Sequence, residues 1–216
     1  MQKEVIYFAY GSNMNPDQMA ERCPGAKAVC PAKLRNYRLA ERKYADIDWD
    51  EGSNVYGVMY TVPENEMEKL DGYEGAPQIY ERIEIRVEFA MKPYMAVTYI
   101  LTPEMKKERD GIPFPEDYRK RCSAGAEHYH VPNDFEYVTL ATYGTLMTGE
   151  HNHPLVQSAL SISPGMLKGT LYDTGYGFPA FTQEGDSTVV FEIIRIPRKD
   201  WPRVDQLEGY PNLYTR

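Results

Sequence analysis

The chain of 216 residues carries one pattern twice. Phe8-Ala9-Tyr10-Gly11-Ser12-Asn13-Met14 returns as Ala141-Thr142-Tyr143-Gly144-Thr145-Leu146-Met147. Leu70-Asp71-Gly72-Tyr73-Glu74-Gly75, with Tyr80-Glu81-Arg82 after it, returns as Val204-Asp205-Gln206-Leu207-Glu208-Gly209, with Tyr214-Thr215-Arg216 after it. Tyr10 precedes Glu74 by 64 residues and Tyr143 precedes Glu208 by 65; each glutamate stands six residues before the next landmark tyrosine. One short string recurs by chance, whereas four landmarks in one register point to a repeat. The sequence predicts two related units in tandem, residues 1–127 and 136–216, joined at 128–135 by a polar, proline-containing linker. The first unit has an extension: alternating runs at Tyr80–Phe89 and Tyr94–Leu101, then a proline-led segment, Pro113–Gly125. The second ends after its Tyr-x-Arg, and reads as a copy cut short of those terminal strands.

Charge narrows the partners. Lys+Arg 24 against Asp+Glu 32 gives a net charge of −8 and a pI near 5.1, which disfavours a nucleic-acid backbone or an anionic membrane as partner. No apolar run approaches the roughly 20 residues of a membrane span, and Glu4 stands where a signal peptide would turn apolar. A soluble, cytoplasmic protein is expected. Cys23, Cys30 and Cys122 are odd in number and lack CxxC spacing, so reduced, packed thiols are expected rather than disulfides or zinc. His151-x-His153 lacks a third ligand, and His128-x-His130 falls in the linker. No phosphate-binding glycine motif occurs, and Ser12 has no GxSxG frame. Tyrosine is abundant, with 18 residues against 7 Phe and 2 Trp.

Glu4 to Tyr10 reads as a buried strand that Gly11 ends; Asn15-Pro16-Asp17 then supplies an N-cap, a proline at N1 and an acid for a helix. Strand, glycine turn and helix start gather backbone N–H groups that can hold an anion or an oxyanion. The second copy repeats the strand at Glu136–Tyr143 and predicts a helix over Pro154–Leu160. Pro63–Leu70 and Pro197–Leu207 read as short helices, with each glutamate in the loop that follows. Alone, Tyr-Gly-Ser is a tight turn and a glutamate beside glycine a solvated one. Their paired recurrence points instead to a site, where a carboxylate lodged among tyrosines is desolvated toward the working range of a general base.

Tyr7-Phe8-Ala9-Tyr10-Gly11-Ser12-Asn13-Met14, Leu70-Asp71-x-x-Glu74-Gly75 with Tyr80-x-Arg82, Val55–Tyr60 and Pro115-Glu116-Asp117-Tyr118 with Gly125-Ala126 resemble the gamma-glutamylcyclotransferase family nearly end to end of unit one. Tyr143–Leu146, Asn152-His153-Pro154-Leu155, Pro164-Gly165-x-Leu167, Phe178-Pro179-Ala180 and Leu207-Glu208-Gly209-Tyr210 are similar to its shorter branch of gamma-glutamylamine cyclotransferases and AIG2-like proteins. The resemblance implies an α+β fold of two mixed β-barrel units, the second incomplete, with no metal or cofactor. It implies release of 5-oxoproline from a small gamma-glutamyl amide. In unit one backbone groups of Gly11, Ser12, Asn13 and Met14 would grip the glutamyl head, with Tyr10 also in the substrate site, Glu74 would shuttle the proton, and Tyr118 would line the pocket. In unit two Tyr143, Gly144, Thr145, Leu146 and Glu208 would take these parts, with no counterpart to Tyr118. The alternatives are a binding module on the same fold and removal of a glutamyl group from a larger conjugate. Open strand edges in an incomplete barrel would favour pairing into a homo-oligomer.

Overall fold

The protein is described here by a computed structural model covering residues 3–209, and the chain divides after Asp134 into two compact units. The Tyr214-x-Arg216 landmark and Tyr210 lie outside the described residues.

In the first unit the opening run becomes β1 (Glu4–Ala9), whose last three residues are buried. A 3-10 turn, Ser12–Met14, separates it from α1 (Pro16–Arg22), which starts as its sequence requires: Asn15 Oδ1 accepts the Gln18 N–H at 3.1 Å. There follow β2 (Lys27–Arg42), β3 (Tyr44–Pro63), α2 (Glu64–Glu74), β4 (Tyr80–Phe89), β5 (Lys92–Leu101), α3 (Pro103–Arg109) and α4 (Glu116–His128). The strands form a closed barrel in the order β1-β3-β2-β4-β5, in which β1 lies antiparallel to β3 and meets β5 in parallel at Tyr7 and Val97. The fold is therefore mixed α+β around a large, mostly antiparallel sheet. Phe8, Ile47, Val55, Val58, Met59 and Leu101 fill the interior.

Two glycines set how closely the site's backbone is packed. A Cβ on Gly57 would lie 2.2 Å from the Ala9 carbonyl oxygen, so only glycine lets β3 lie this close to β1. A Cβ on Gly125 would lie 2.6 Å from the backbone of Met14 and Asn15, so α4 can lie directly against the Ser12–Met14 turn.

The segment predicted as a linker is largely part of this unit. His128 closes α4, Val131 and Asn133 are buried, and the Asn133 amide donates to Ser123 Oγ at 2.7 Å. The buried amide of Asn133 is thus satisfied within the unit, while His128 and His130 stay exposed.

The second unit contains β6 (Tyr137–Thr142), β7 (Ser161–Lys168), β8 (Thr170–Asp173), β9 (Pro179–Thr182), β10 (Thr188–Pro197) and α5 (Trp201–Glu208). Its described strands form an open three-stranded antiparallel sheet, β6-β10-β7, and a separate β8-β9 hairpin rather than a closed barrel. Leu146, Val156, Ile194, Ile196 and Val204 form its core. The helix predicted over Pro154–Leu160 is a single 3-10 turn, His153–Val156. Beyond it the Leu160 N–H donates to the Arg195 carbonyl at 2.8 Å and Ser158 Oγ to Asp200 at 2.6 Å, which ties the chain to β10 and to the start of α5.

Candidate active site

Glu74 is the last residue of α2, not a loop residue: Gly75, at φ 65°, takes the left-handed conformation that stops the helix just behind it. The carboxyl thereby faces a pocket lined by Tyr7, Tyr10, Gly11, Ser12, Asn13, Ala45, Glu74, Tyr80, Tyr99 and Tyr118. Tyr10, Gly11, Ser12, Asn13, Glu74 and Tyr118 are thus brought together from three separate stretches: the Tyr10–Asn13 segment, the end of α2, and α4. Met14 is not among them. Its side chain is 1 % exposed and its N–H is spent on the Gly11 carbonyl at 3.0 Å, so it anchors the turn from behind.

Each polar contact has a geometric reason. Asn13 Nδ2 donates to Glu74 Oε1 and to the Tyr7 hydroxyl, both at 2.9 Å. Arg22, at the end of α1, donates from Nη1 to Glu74 Oε1 at 3.1 Å and to Asn13 Oδ1 at 2.9 Å. Gln18 Nε2 donates to Asn13 Oδ1 and to Ser12 Oγ. The 3-10 turn hydrogen bonds begin at the Met14 and Asn15 N–H groups, so the Ser12 and Asn13 amides stand ahead of its first bonded donor.

The tyrosines are positioned through backbone. Tyr10 Oη donates to the Tyr99 carbonyl and Tyr80 Oη to the Ala45 carbonyl, while the Ala45 N–H donates to Tyr118 Oη at 3.0 Å. A Cβ on Gly11 would lie 2.9 Å from Tyr118 Oη, so glycine here leaves room for that phenol. Ala45 is braced in turn by its neighbour Asp46, fully buried, which accepts from Arg42 at 2.7 Å and from the Leu101 N–H at 2.9 Å.

Burial sets the electrostatics. It pushes the Glu74 carboxyl above its usual range, and the Arg22 guanidinium and Asn13 amide pull it only part of the way back. Burial drives the hydroxyls of Tyr7, Tyr10, Tyr80, Tyr99 and Tyr118 well above theirs, with the Glu74 charge adding to this at Tyr7 and Tyr80. The pocket is a ring of neutral phenols about one half-desolvated carboxyl.

The second unit has a broader pocket, lined in part by Tyr143, Gly144, Thr145, Leu146, Phe178, Pro179, Trp201, Val204 and Glu208. Glu208, too, is the last residue of its helix, before Gly209 at φ 65°, and burial again pushes its carboxyl upward. All five predicted residues of this unit line the pocket, but Leu146 does so as a member of the apolar core. In the register set by the two Tyr-Gly turns, 133 residues apart, the positions of Tyr7 and Asn13 are held by Leu140 and Leu146. Both leucines pack in or against the core.

Sequence reasoning missed Tyr7, Arg22, Ala45, Tyr80 and Tyr99. Tyr7 and Tyr80 lie inside the quoted motifs and could have been found there. Arg22 could not: it sits 52 residues from Glu74, on a helix whose other charges are solvated.

The family described as gamma-glutamyl cyclotransferase, AIG2-like, matches residues 7–120 and 140–216. The mouse gamma-glutamylcyclotransferase is 28% identical over 150 residues, which cover 61% of this chain and 74% of that protein. A Niallia circulans enzyme, gamma-L-glutamyl-butirosin B gamma-glutamyl cyclotransferase, is 36% identical over 72 residues, 33% of this chain and 46% of that one. A solved structure of a gamma-glutamyl cyclotransferase superposes with a TM-score of 0.53 at 25% identity, covering 60% of this chain and 82% of the other.

Proposed function

This chain belongs to the gamma-glutamyl cyclotransferase, AIG2-like family, and we propose that its first unit releases 5-oxoproline and a free amine from small gamma-glutamyl amides, with Glu74 as proton shuttle. The observation that carries this reading is a buried carboxyl, raised in pKa, that opens on a pocket beside uncommitted turn amides.

The chemistry asks little more. The substrate holds both reacting groups, so proximity is supplied once its chain is folded into a five-membered approach. Glu74 takes a proton from the α-ammonium. The freed amine attacks the γ-carbonyl carbon, forming the lactam C–N bond and a tetrahedral oxyanion. N–H groups of the Ser12–Asn13 turn, and the Tyr7 hydroxyl, which accepts from Asn13 and keeps its own proton to give, suit that oxyanion. The bond to the leaving nitrogen then breaks as Glu74 returns the proton to it, and the regenerated carboxylate takes the surplus proton from the ring nitrogen and passes it to the departing amine, which leaves as an ammonium.

The second unit is read as a related copy that keeps the glutamate without the polar side chains that hold its counterpart, and the cyclisation is assigned to the first unit alone. The Niallia circulans relative supports including bulky amine leaving groups among the substrates. Incubation with glutathione, gamma-glutamyl dipeptides, gamma-glutamyl-ε-lysine and gamma-glutamyl aminoglycosides, followed by mass spectrometry, should show 5-oxoproline from at least one of them. Folded protein that yields none from the whole panel would overturn the reading.

A further inference from the structure

We propose that Arg22 is the positioning residue of this site, fixing Glu74 through one carboxylate oxygen so that the other is left to exchange protons with substrate. The inference rests on the reading of Glu74 as the base. Both hydrogen bonds to the Glu74 carboxylate, from Asn13 and from Arg22, end on Oε1; no bond among the described residues ends on Oε2. One Nη1 of Arg22 serves Glu74 Oε1 and Asn13 Oδ1 together, which locks the angle between carboxylate and amide. The guanidinium is itself immobilised, lying 4.9 Å from the centroid of the Tyr73 ring. Its side chain is 21 % exposed and that of Glu74 17 %, so the pair sits in a medium where the attraction is only weakly screened. From the other side, Arg121 on α4 donates to Gln18 Oε1, and Gln18 donates to Asn13 Oδ1, so the partner Arg22 shares with Glu74 is held as well.

A charge role follows from what surrounds the carboxylate. Tyr7 of β1, Tyr10 just beyond it, Tyr80 of β4, Tyr99 of β5 and Tyr118 of α4 face the same pocket, and all five stay neutral. On its own helix Asp71 is turned to Tyr99 and Arg82. Arg22 is the one charged side chain among the described residues that acts on Glu74, and it acts to keep the base ionised against its burial.

The test uses Arg22→Gln and Arg22→Lys, each in the wild-type and the Glu74→Gln background. Arg22→Gln should lower kcat/KM at pH 7 by about 10²-fold, the scale of a misplaced reacting group, and move the acid limb of its pH profile to higher pH. In the Glu74→Gln background the same substitution should change the residual rate by less than about threefold, because it acts through the carboxylate it no longer meets. Arg22→Lys keeps the charge without the planar, ring-stacked guanidinium that sets the place of Nη1: its rate should fall while its acid limb stays with the wild type's. An unmoved acid limb in folded Arg22→Gln, or equal losses in both backgrounds, would overturn the proposal. Should Arg22→Gln not fold, an acid limb displaced in Arg22→Lys does the same. A 13C titration of the Glu74 carboxyl separates this proposal from the assigned activity, since it needs no turnover. If no amide is cleaved, the assigned activity fails, while a Glu74 that titrates higher in Arg22→Gln still supports Arg22 and one that does not contradicts it.

Discussion

Glu74 and Glu208 occupy the same local structure and different surroundings. Each is the final residue of a short helix stopped by a glycine at φ 65°, and each is pushed up in pKa by burial. At Glu74 an amide and a guanidinium converge on one carboxylate oxygen. In the second unit the positions of Tyr7 and Asn13 are held by Leu140 and Leu146, which pack in or against the apolar core. The helix end and the buried acid come from local sequence, a Glu-Gly pair after an amphipathic turn. Orienting that acid takes further polar side chains, Asn13 from the turn and Arg22 from α1, and in the second unit leucine stands at the Asn13 position.

The comparison breaks most readily at the acids themselves. Glu74→Gln keeps the shape and removes the base; turnover measured as 5-oxoproline release should drop by about 10²–10⁴-fold. Next comes an exchange between the two surroundings. Asn13→Leu installs the second unit's residue in the first, strips Glu74 and Tyr7 of a shared donor, and should cost about 10²-fold in kcat/KM, while the reciprocal Leu146→Asn should create no activity.

The bracing behind the tyrosines predicts a loss of stability rather than of chemistry. Arg42→Met leaves the fully buried Asp46 without the guanidinium it bonds at 2.7 Å and with Lys106, at 3.3 Å, as its remaining cation, and should lower unfolding free energy by about 1–3 kcal/mol. Denaturant unfolding checks this, and an unchanged midpoint would remove Asp46 from the account. The smallest effect concerns the cost of the site. Glu74 has a folded pKa above its unfolded one, so its contribution is most favourable below about pH 4 and turns unfavourable as pH rises through the folded value. Glu74→Gln should therefore melt at or above the wild-type temperature at pH 7, with the gap closing below about pH 4. A variant less stable at pH 7 than at pH 4, relative to wild type, would reverse that sign.

Much of the first unit was legible in its sequence because the signals are local. The cap Asn15-Pro16-Asp17 starts α1 as read, and the alternation at Tyr80–Phe89 gives β4 at the predicted bounds. The desolvated carboxylate among tyrosines follows from composition and from the repeated spacing. Arg22 stayed hidden because the partner of a helix-end arginine is chosen by tertiary packing, and Met14 was misread because a motif residue can serve the site from behind. The lost helix at Pro154–Leu160 has the same origin, since a contact from Leu160 to β10 outweighs a proline-led start. Glycines at 57 and 125 were unreadable as well, because what they permit is the approach of distant backbone.

The most direct measurement is 5-oxoproline release by mass spectrometry from one gamma-glutamyl substrate, run side by side on wild type, Glu74→Gln and Glu208→Gln. The account predicts product from wild type and Glu208→Gln at similar rates and almost none from Glu74→Gln. Product abolished in Glu208→Gln and retained in Glu74→Gln would place the chemistry in the second unit and contradict it.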